Sequence, residues 1–144
     1  MNAEKLQCLL GSDFHILKGS VEAAPAEKGA YALLLLVDNP LVFRWRMQAM
    51  QFDPGRYVYA GSARGAGGIR ARLRHHLRRD KSPHWHVDHL TNQADTIDVV
   101  ASIDGSECRI VSRLIGTGQF QVPIAGFGSS DCRGCPAHLL RFSQ

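Results

Sequence analysis

The chain of 144 residues has the length of one domain, with 44% hydrophobic and 21% charged residues and a net charge of +4. This composition excludes collagen-like, disordered and disulfide-scaffold proteins, the last because four cysteines are too few. No run of about 18 consecutive apolar residues is present, and the N-terminus lacks the apolar segment of a secretory signal. We therefore expect a soluble, cytoplasmic protein with no membrane partner.

Basic charge is concentrated in residues 64–81, where seven basic side chains accompany a single acidic one, Asp80. They are Arg64, Arg70, Arg72, Arg74, Arg78, Arg79 and Lys81. This segment carries +6, which leaves −2 for the rest of the chain. A local excess of this kind indicates a polyanionic partner, and an ordinary solvated helix face is the alternative.

The chain divides into an N-terminal extension, residues 1–28, and a folded domain, residues 29–144. Ala30 to Val37 is a continuous apolar run, typical of a strand that is buried on both faces. Asp38 to Pro40 predicts a tight turn into an antiparallel strand over Leu41 to Trp45.

Arg56 to Gly61 reads RYVYAG and predicts a short aromatic-rich strand. Glycines follow, and then a helix is predicted over Ile69 to Arg79. Ile69, Leu73 and Leu77 recur every four residues, so we expect these three side chains to face the core.

A second helix is predicted over His84 to Asn92, with Ser82 and Pro83 as its cap and first turn. Thr96 to Ile103 is rich in β-branched residues and predicts a third major strand. Another helix is expected from Glu107, and a loop-rich tail ends the chain. This order predicts an α+β fold, a small, mostly antiparallel sheet of three main strands flanked by helices.

Three motifs follow one another along these elements. Gly29-Ala30-Tyr31 opens the first strand, Tyr59-Ala60-Gly61 lies in another, and the next helix carries Arg72 and His76. Glu107 starts a helix after the last strand. In this order the motifs resemble the GIY-YIG nuclease superfamily over most of the chain, with alanine at both central motif positions.

The resemblance implies a divalent-metal-dependent endonuclease that hydrolyses DNA phosphodiester bonds, on branched, damaged or foreign DNA. It implies Tyr31 as general base or water-orienting group, Tyr59 as the group that positions phosphate, and Glu107 as the ligand of Mg²⁺ or Mn²⁺. The planar guanidinium of Arg72 is suited to donating hydrogen bonds to two phosphate oxygens. A phenol with a pKa near 10 needs help to act as a base, and His76, Arg72 or the metal would supply it.

Further contacts to the DNA backbone are predicted along the motifs and the basic helix, with an affinity that falls with salt. These residues are Gly61, Ser62, Arg64, Arg70, Arg74, Arg79, His84 and His86. No base-reading motif is recognisable, so DNA shape or a protein partner would provide specificity. The alternative function is a catalytically inactive nucleic-acid-binding module. Each site residue alone also has an ordinary explanation, such as a core tyrosine or a first-turn glutamate.

The segment from His84 to His89 spells H-x-H-x-D-H, which is similar to the metal-binding signature of metallo-β-lactamase-like hydrolases. That two-metal site requires further histidines downstream, and His138 is the one histidine that follows. A capped helix therefore explains the segment better than a metal centre.

Cys132, Cys135 and His138 have the spacing C-x-x-C-x-x-H, and Cys108 is a conceivable fourth ligand of a structural zinc ion. Free thiols that pack a loop are the alternative. The run FGSSDCRGCPAHL also resembles the Ser-Asp-Cys...His-Leu signature of an uncharacterised stand-alone branch of GIY-YIG-like proteins, with one more residue between the cysteines. A third hypothesis is that Asp131 and His138 close over the active site.

Overall fold

The computed structural model describes residues 1–45, 47–129 and 132–143. The described elements, in chain order, are α1 (Ala3–Leu10), β1 (His15–Ile16), a short 3-10 helix (Val21–Ala23), β2 (Gly29–Val37), β3 (Leu41–Trp45), β4 (Gln48–Phe52), β5 (Gly55–Ala63), α2 (Gly68–Leu77), α3 (Asp88–Gln93), β6 (Thr96–Ile103), α4 (Glu107–Gly116), β7 (Phe120–Gln121) and β8 (Leu139–Phe142). The fold is α+β, as predicted. None of the described helices is long and apolar enough to cross a membrane.

The three longest strands form the centre of a six-stranded sheet with the order β1-β6-β2-β5-β8-β7. β2 lies between β6 and β5, antiparallel to both, so that Tyr31 pairs with Ala101 on one side and with Gly61 on the other. The prediction of three main strands is confirmed. β2 is also buried on both faces, as its unbroken apolar run predicts.

Two hydrophobic cores lie on the two faces of this sheet. Tyr31, Leu33 and Leu35 point to one face, where they pack with residues of α2 and α3. Alternate residues of β2 point to the other face and pack with α1 and α4. The period of two along a strand therefore places Tyr31 on the same face as α2, the basic helix.

The first 28 residues contribute a helix and an edge strand that their sequence pattern did not predict. Asn2 caps α1 by accepting a hydrogen bond from the backbone N–H of Lys5. Leu6 and Leu10, one turn apart, are fully buried against the sheet. β1 then pairs with the outer edge of β6.

The predicted turn after β2 is followed by a strand, but its expected pairing with β2 is wrong. β3 pairs with β4 in a separate two-stranded sheet, from Leu41 opposite Phe52 to Trp45 opposite Gln48. Both edges of β2 are taken by the longer strands β5 and β6, which leave no free edge for β3.

Helix α2 begins and ends within two residues of its prediction, with Ile69 and Leu73 fully buried and Leu77 half-buried. The predicted helix start at His84 is wrong, because α3 begins at Asp88. The carboxylate of Asp88 accepts hydrogen bonds from the backbone N–H groups of His84 and Trp85, and these bonds hold the residues before α3 in a turn.

Candidate active site

The ring of Tyr31 lies directly on Gly61 of the neighbouring strand. An ideal Cβ atom at position 61 would stand 2.3 Å from Cζ of Tyr31 and 2.4 Å from its hydroxyl oxygen. These distances are far shorter than any real Cβ contact, so the ring occupies the space that a side chain at position 61 would need. The glycine of the second motif therefore makes room for the tyrosine of the first.

The Tyr31 hydroxyl lies 2.7 Å from Nε2 of His76, and both side chains are buried. Helix α2 places His76 on the same face as Ile69 and Leu73, which pack against the sheet. The His76 ring also packs against Tyr59 and Trp85, with centroids 5.8 and 5.7 Å apart. His76 therefore connects the buried phenol to two aromatic side chains of a neighbouring cleft.

Asp88 is a buried carboxylate on the far side of His76. Its Oδ2 accepts hydrogen bonds from Nε2 of His75 at 2.9 Å and from the backbone of His84 and Trp85. Its Oδ1 faces Nδ1 of His76 at 3.7 Å, and neither of these two atoms has a hydrogen-bond partner among the described residues. The order carboxylate, imidazole and phenol thus runs through Asp88, His76 and Tyr31.

Burial and hydrogen bonds together determine the protonation of Asp88, His76 and Tyr31. Burial raises the pKa of Tyr31 and of Tyr59 far above the usual value, and the Arg72 guanidinium opposes both shifts. Burial lowers the pKa of His76, and the nearby Asp88 carboxylate opposes this shift in part. Burial alone would raise the pKa of Asp88, but the hydrogen bonds it accepts outweigh burial and hold its pKa well below the usual range. Near pH 7 the row therefore consists of a carboxylate, a neutral imidazole and a neutral phenol.

A cleft of about 270 Å³ opens beside these residues. It is lined by Tyr59, Ser62, Arg64, Arg72, Trp85, His86, Glu107, Gly128, Cys132 and His138. The cleft unites residues from β5, α2, the turn before α3, the start of α4 and the C-terminal tail. Three of the predicted catalytic residues, Tyr59, Arg72 and Glu107, line it directly, and Tyr31 and His76 lie behind Tyr59.

Arg72 and Glu107 bring opposite charges to this cleft. The guanidinium carbon of Arg72 lies 4.6 Å from the ring centroid of Trp85, so the flat indole supports the cation. Glu107 occupies the first turn of α4 and is partly exposed, with Oε2 3.6 Å from Nδ1 of His138. The arrangement offers an anchored cation for an anion and a carboxylate for a metal ion.

The predicted DNA-binding residues fall into two groups. Ser62, Arg64 and His86 line the cleft, and Gly61 lies under the Tyr31 ring. Arg70, Arg74 and Arg79 make hydrogen bonds within the protein, to Ala24, Glu22 and Ala94, respectively. His84 is exposed and its ring packs against Trp85. Of the arginines on α2, Arg72 thus reaches the cleft, whereas Arg70 and Arg74 hold neighbouring segments.

The H-x-H-x-D-H segment does not gather its side chains around one point. His86 Nδ1 accepts a hydrogen bond from the backbone of Gly128, and His89 stacks on Phe43 with centroids 4.3 Å apart. Among the described residues, the one group of three or more histidine, cysteine or acidic side chains that could hold a metal ion lies elsewhere. The geometry gives no support to a two-metal hydrolase.

That group consists of Cys108, Cys132, Cys135 and His138, whose ligand atoms all lie within 4.8 Å of one another. The cluster could hold a metal ion. The neighbouring side chains of Cys108 and His138 lower the pKa of the Cys132 thiol to about 6, and burial raises the pKa of Cys135 to about 12. Ser130 and Asp131 of the same signature lie outside the described residues, so the hypothesis of Asp131 as a lid remains a prediction.

Two residues of the site escaped the sequence analysis. In the sequence, Asp88 is one position of the H-x-H-x-D-H pattern. In the structure it is buried, and its carboxylate accepts hydrogen bonds from the backbone N–H groups of His84 and Trp85, which makes it a turn cap. Trp85, which supports Arg72, is not among the residues that the motifs indicate. Neither contact can be read from spacing, because α2 and the turn before α3 are brought together by tertiary packing.

A family model described as a domain of unknown function, DUF123, matches residues 30–144. The match spans most of the chain, and the chain therefore belongs to this family. No curated protein and no solved structure matches the chain significantly. The family description assigns no activity.

Proposed function

We propose that the chain is a divalent-metal-dependent endonuclease of the GIY-YIG type that hydrolyses phosphodiester bonds of DNA. The observation that carries this proposal is the cleft itself. It presents Tyr59, Arg72 and Glu107 to one space, with the hydrogen-bonded pair of Tyr31 and His76 directly behind them. The order of motifs in the sequence supports the same activity.

Two arginines suit the cleft to a phosphate group. Arg72 is anchored over Trp85, and Arg64 is exposed at the cleft. A planar guanidinium can contact two phosphate oxygens and neutralise the charge that develops on the phosphoryl group. The Tyr59 hydroxyl is our candidate for the group that holds the scissile phosphate in position.

The row of Asp88, His76 and Tyr31 provides a path for a proton. Nδ1 of His76 faces the Asp88 carboxylate, which favours the tautomer of neutral His76 that carries its proton on Nδ1. In that tautomer Nε2 accepts the hydrogen bond of the Tyr31 hydroxyl. In the proposed step a water oxygen bonds to phosphorus as the bond to the leaving oxygen breaks. The proton of the water passes to Tyr31, the proton of Tyr31 passes to His76, and the leaving oxygen takes a proton from solvent. The Asp88 carboxylate stabilises the imidazolium that results.

Glu107 fits a hard divalent cation. Its carboxylate is partly exposed and lines the same cleft as Tyr59, where the open space leaves room for waters and phosphate oxygens. Mg²⁺ or Mn²⁺ held there would withdraw charge from the phosphoryl oxygens. One protein carboxylate with several waters is the kind of coordination that Mg²⁺ accepts.

A cleavage assay tests the proposal. Nicked, flap and four-way junction DNA, each with a matched RNA, are incubated with Mg²⁺ or Mn²⁺ and wild-type protein, Tyr31→Phe or Glu107→Gln. We expect cleavage by the wild type and a loss of at least about a hundredfold in each variant. Glu4→Gln is the matched control, because Glu4 is also a first-turn glutamate but is exposed on α1.

Two results would contradict the proposal. Cleavage that survives both Tyr31→Phe and Glu107→Gln would exclude this site as its source. Salt-sensitive binding of DNA with no cleavage of any substrate would instead favour the nucleic-acid-binding module, since the basic cleft alone accounts for binding.

A further inference from the structure

A second group of chemically reactive side chains lies at the end of the cleft, outside the proposed phosphate site. It joins Cys108 on the first turn of α4 to Cys132, Cys135 and His138 in the tail. Cys108 and Cys132 have their sulfur atoms 3.4 Å apart, and all four cysteines of the chain are free thiols. Three thiols and one imidazole therefore converge from two distant segments.

We propose that these four residues bind one Zn²⁺ ion in a closed tetrahedral site. Zinc sits about 2.3 Å from sulfur and about 2.0 Å from nitrogen, so its tetrahedral sulfur ligands lie about 3.8 Å apart. The four ligand atoms lie within 4.8 Å of one another, close to that spacing. Three soft sulfurs exclude Mg²⁺ and Ca²⁺, and four protein ligands leave no open position for a catalytic water.

The backbone holds the tail in position for this site. The N–H of His138 donates to the carbonyl of Phe127 at 2.9 Å, and the carbonyl of His138 accepts from Ala60 of β5 at 2.8 Å. Cys132 N–H donates to the carbonyl of Ser129 at 2.9 Å. The ligands are thus set on supported backbone, as a structural metal site requires.

The histidine of the cluster has a buried atom that the protein does not satisfy. His138 is almost fully buried, and its Nε2 has no hydrogen-bond partner among the described residues. Its Nδ1 lies 3.6 Å from the Glu107 carboxylate, which orients the ring as carboxylates commonly orient metal-binding imidazoles. A metal ion would give this ring the partner that it lacks.

The position of the site gives the zinc ion a structural role in the cleft. Cys108 follows Glu107 directly in the chain, and Cys132 and His138 both line the cleft. The ion would therefore fasten the start of α4 to the tail and fix the carboxylate that faces the cleft. This consequence for the cleft rests on the proposed function, whereas zinc binding itself does not.

The test is made on the full chain, purified and reconstituted with ZnCl₂ under reducing conditions. Elemental analysis is expected to give one zinc per chain, and X-ray absorption is expected to give three sulfur ligands and one nitrogen ligand. Cys135→Ser should lower zinc affinity at least about tenfold. Cys8→Ser should bind like the wild type, because Cys8 is exposed on α1, away from the cluster.

Wild-type protein that stays well below one zinc per chain after reconstitution would overturn the proposal. So would a disulfide between Cys108 and Cys132 in the reconstituted protein, or a ligand set other than three sulfurs and one nitrogen. The absorption spectrum needs no variant and therefore remains decisive if Cys135→Ser fails to fold. One zinc per chain without DNA cleavage would support the metal site and count against the nuclease.

Discussion

The hydroxyl of Tyr31 lies 2.7 Å from Nε2 of His76, and both groups are buried between the central strand of the sheet and the basic helix. The contact joins residues that are 45 positions apart in the chain. It makes the tyrosine of the first motif a hydrogen-bonded partner of the helix histidine rather than an isolated core side chain.

Removal of the Tyr31 hydroxyl should affect both activity and stability. Tyr31→Phe leaves the buried Nε2 of His76 without a partner, which costs about 1–3 kcal/mol of unfolding free energy in urea titrations. Tyr57→Phe is the control, because the Tyr57 hydroxyl donates to the Asp53 carbonyl outside the cleft. Equal cleavage rates for the two variants would contradict the assigned role of Tyr31.

Gly61→Ala should displace the Tyr31 ring. The new methyl group would stand 2.3 Å from Cζ of Tyr31, so the ring or the strand must move, at a cost of about 1–3 kcal/mol. Urea titration measures this loss. Gly65→Ala is the matched control, since a Cβ atom at position 65 would meet no atom within 4 Å. A Gly61→Ala protein as stable as Gly65→Ala would show that the ring is not confined as described.

Asp88→Asn should change how stability depends on acid. Hydrogen bonds hold the pKa of Asp88 below its usual 3.8. The carboxylate therefore makes its full contribution to the free energy of unfolding at pH values above 3.8. This contribution is lost as the pH falls from about 4 through the lower folded-state pKa. The wild type should therefore lose stability more steeply below pH 4 than Asp88→Asn does, whereas Asp98→Asn, at an exposed position of β6, should follow the wild type. If the free energy of unfolding depends on pH in the same way for the wild type and Asp88→Asn, this contribution of Asp88 is ruled out.

The plot of cleavage rate against pH should have an acidic limb, a fall in rate toward low pH, that lies below pH 6.5. Burial lowers the pKa of His76 from 6.5, and the proposed step needs His76 neutral, so activity is lost when the imidazole takes a proton. Asp88 opposes the lowering, and Asp88→Asn should therefore move the limb to still lower pH. A limb at or above pH 6.5, or an opposite shift in the variant, would exclude His76 as the acceptor.

Arg64→Ala should weaken DNA binding more than Arg74→Ala. Arg64 is exposed at the cleft, whereas Arg74 is paired with Glu22 on the outer side of α2. Loss of one phosphate contact should reduce the slope of log affinity against log salt by about one. Fluorescence anisotropy over a salt series measures the slope, and equal slopes for the two variants would place the DNA elsewhere.

The central strands and α2 could be predicted from the sequence because their signals are local. β2 is an unbroken apolar run, and Ile69 and Leu73 repeat at helical spacing. α1 was missed although Asn2 is a capping residue and Leu6 and Leu10 lie one turn apart, because a helix of eight residues gives a short pattern. The partner of β3 could not be predicted, since strand pairing is decided by which edges remain free.

The candidate site shows the same limit. The five predicted catalytic residues were found by motif order, and the structure places all five in or directly behind one cleft. The sequence could not predict that the Asp88 carboxylate lies beside His76, because this contact depends on how α3 packs on α2. The grouping of Cys108 with Cys132, Cys135 and His138 could not be predicted for the same reason, since Cys108 and Cys132 are 24 positions apart.

The placement of the tail also sets an order of events during synthesis. His138 and Cys132 line the cleft, and Leu139 pairs with Tyr59. On a ribosome these residues emerge long after Tyr31, Tyr59 and Arg72, so a nascent chain exposes the arginine-rich helix before the far wall of the cleft exists. The proposed nuclease site therefore stays incomplete beside the messenger RNA that encodes it until the tail has left the ribosome.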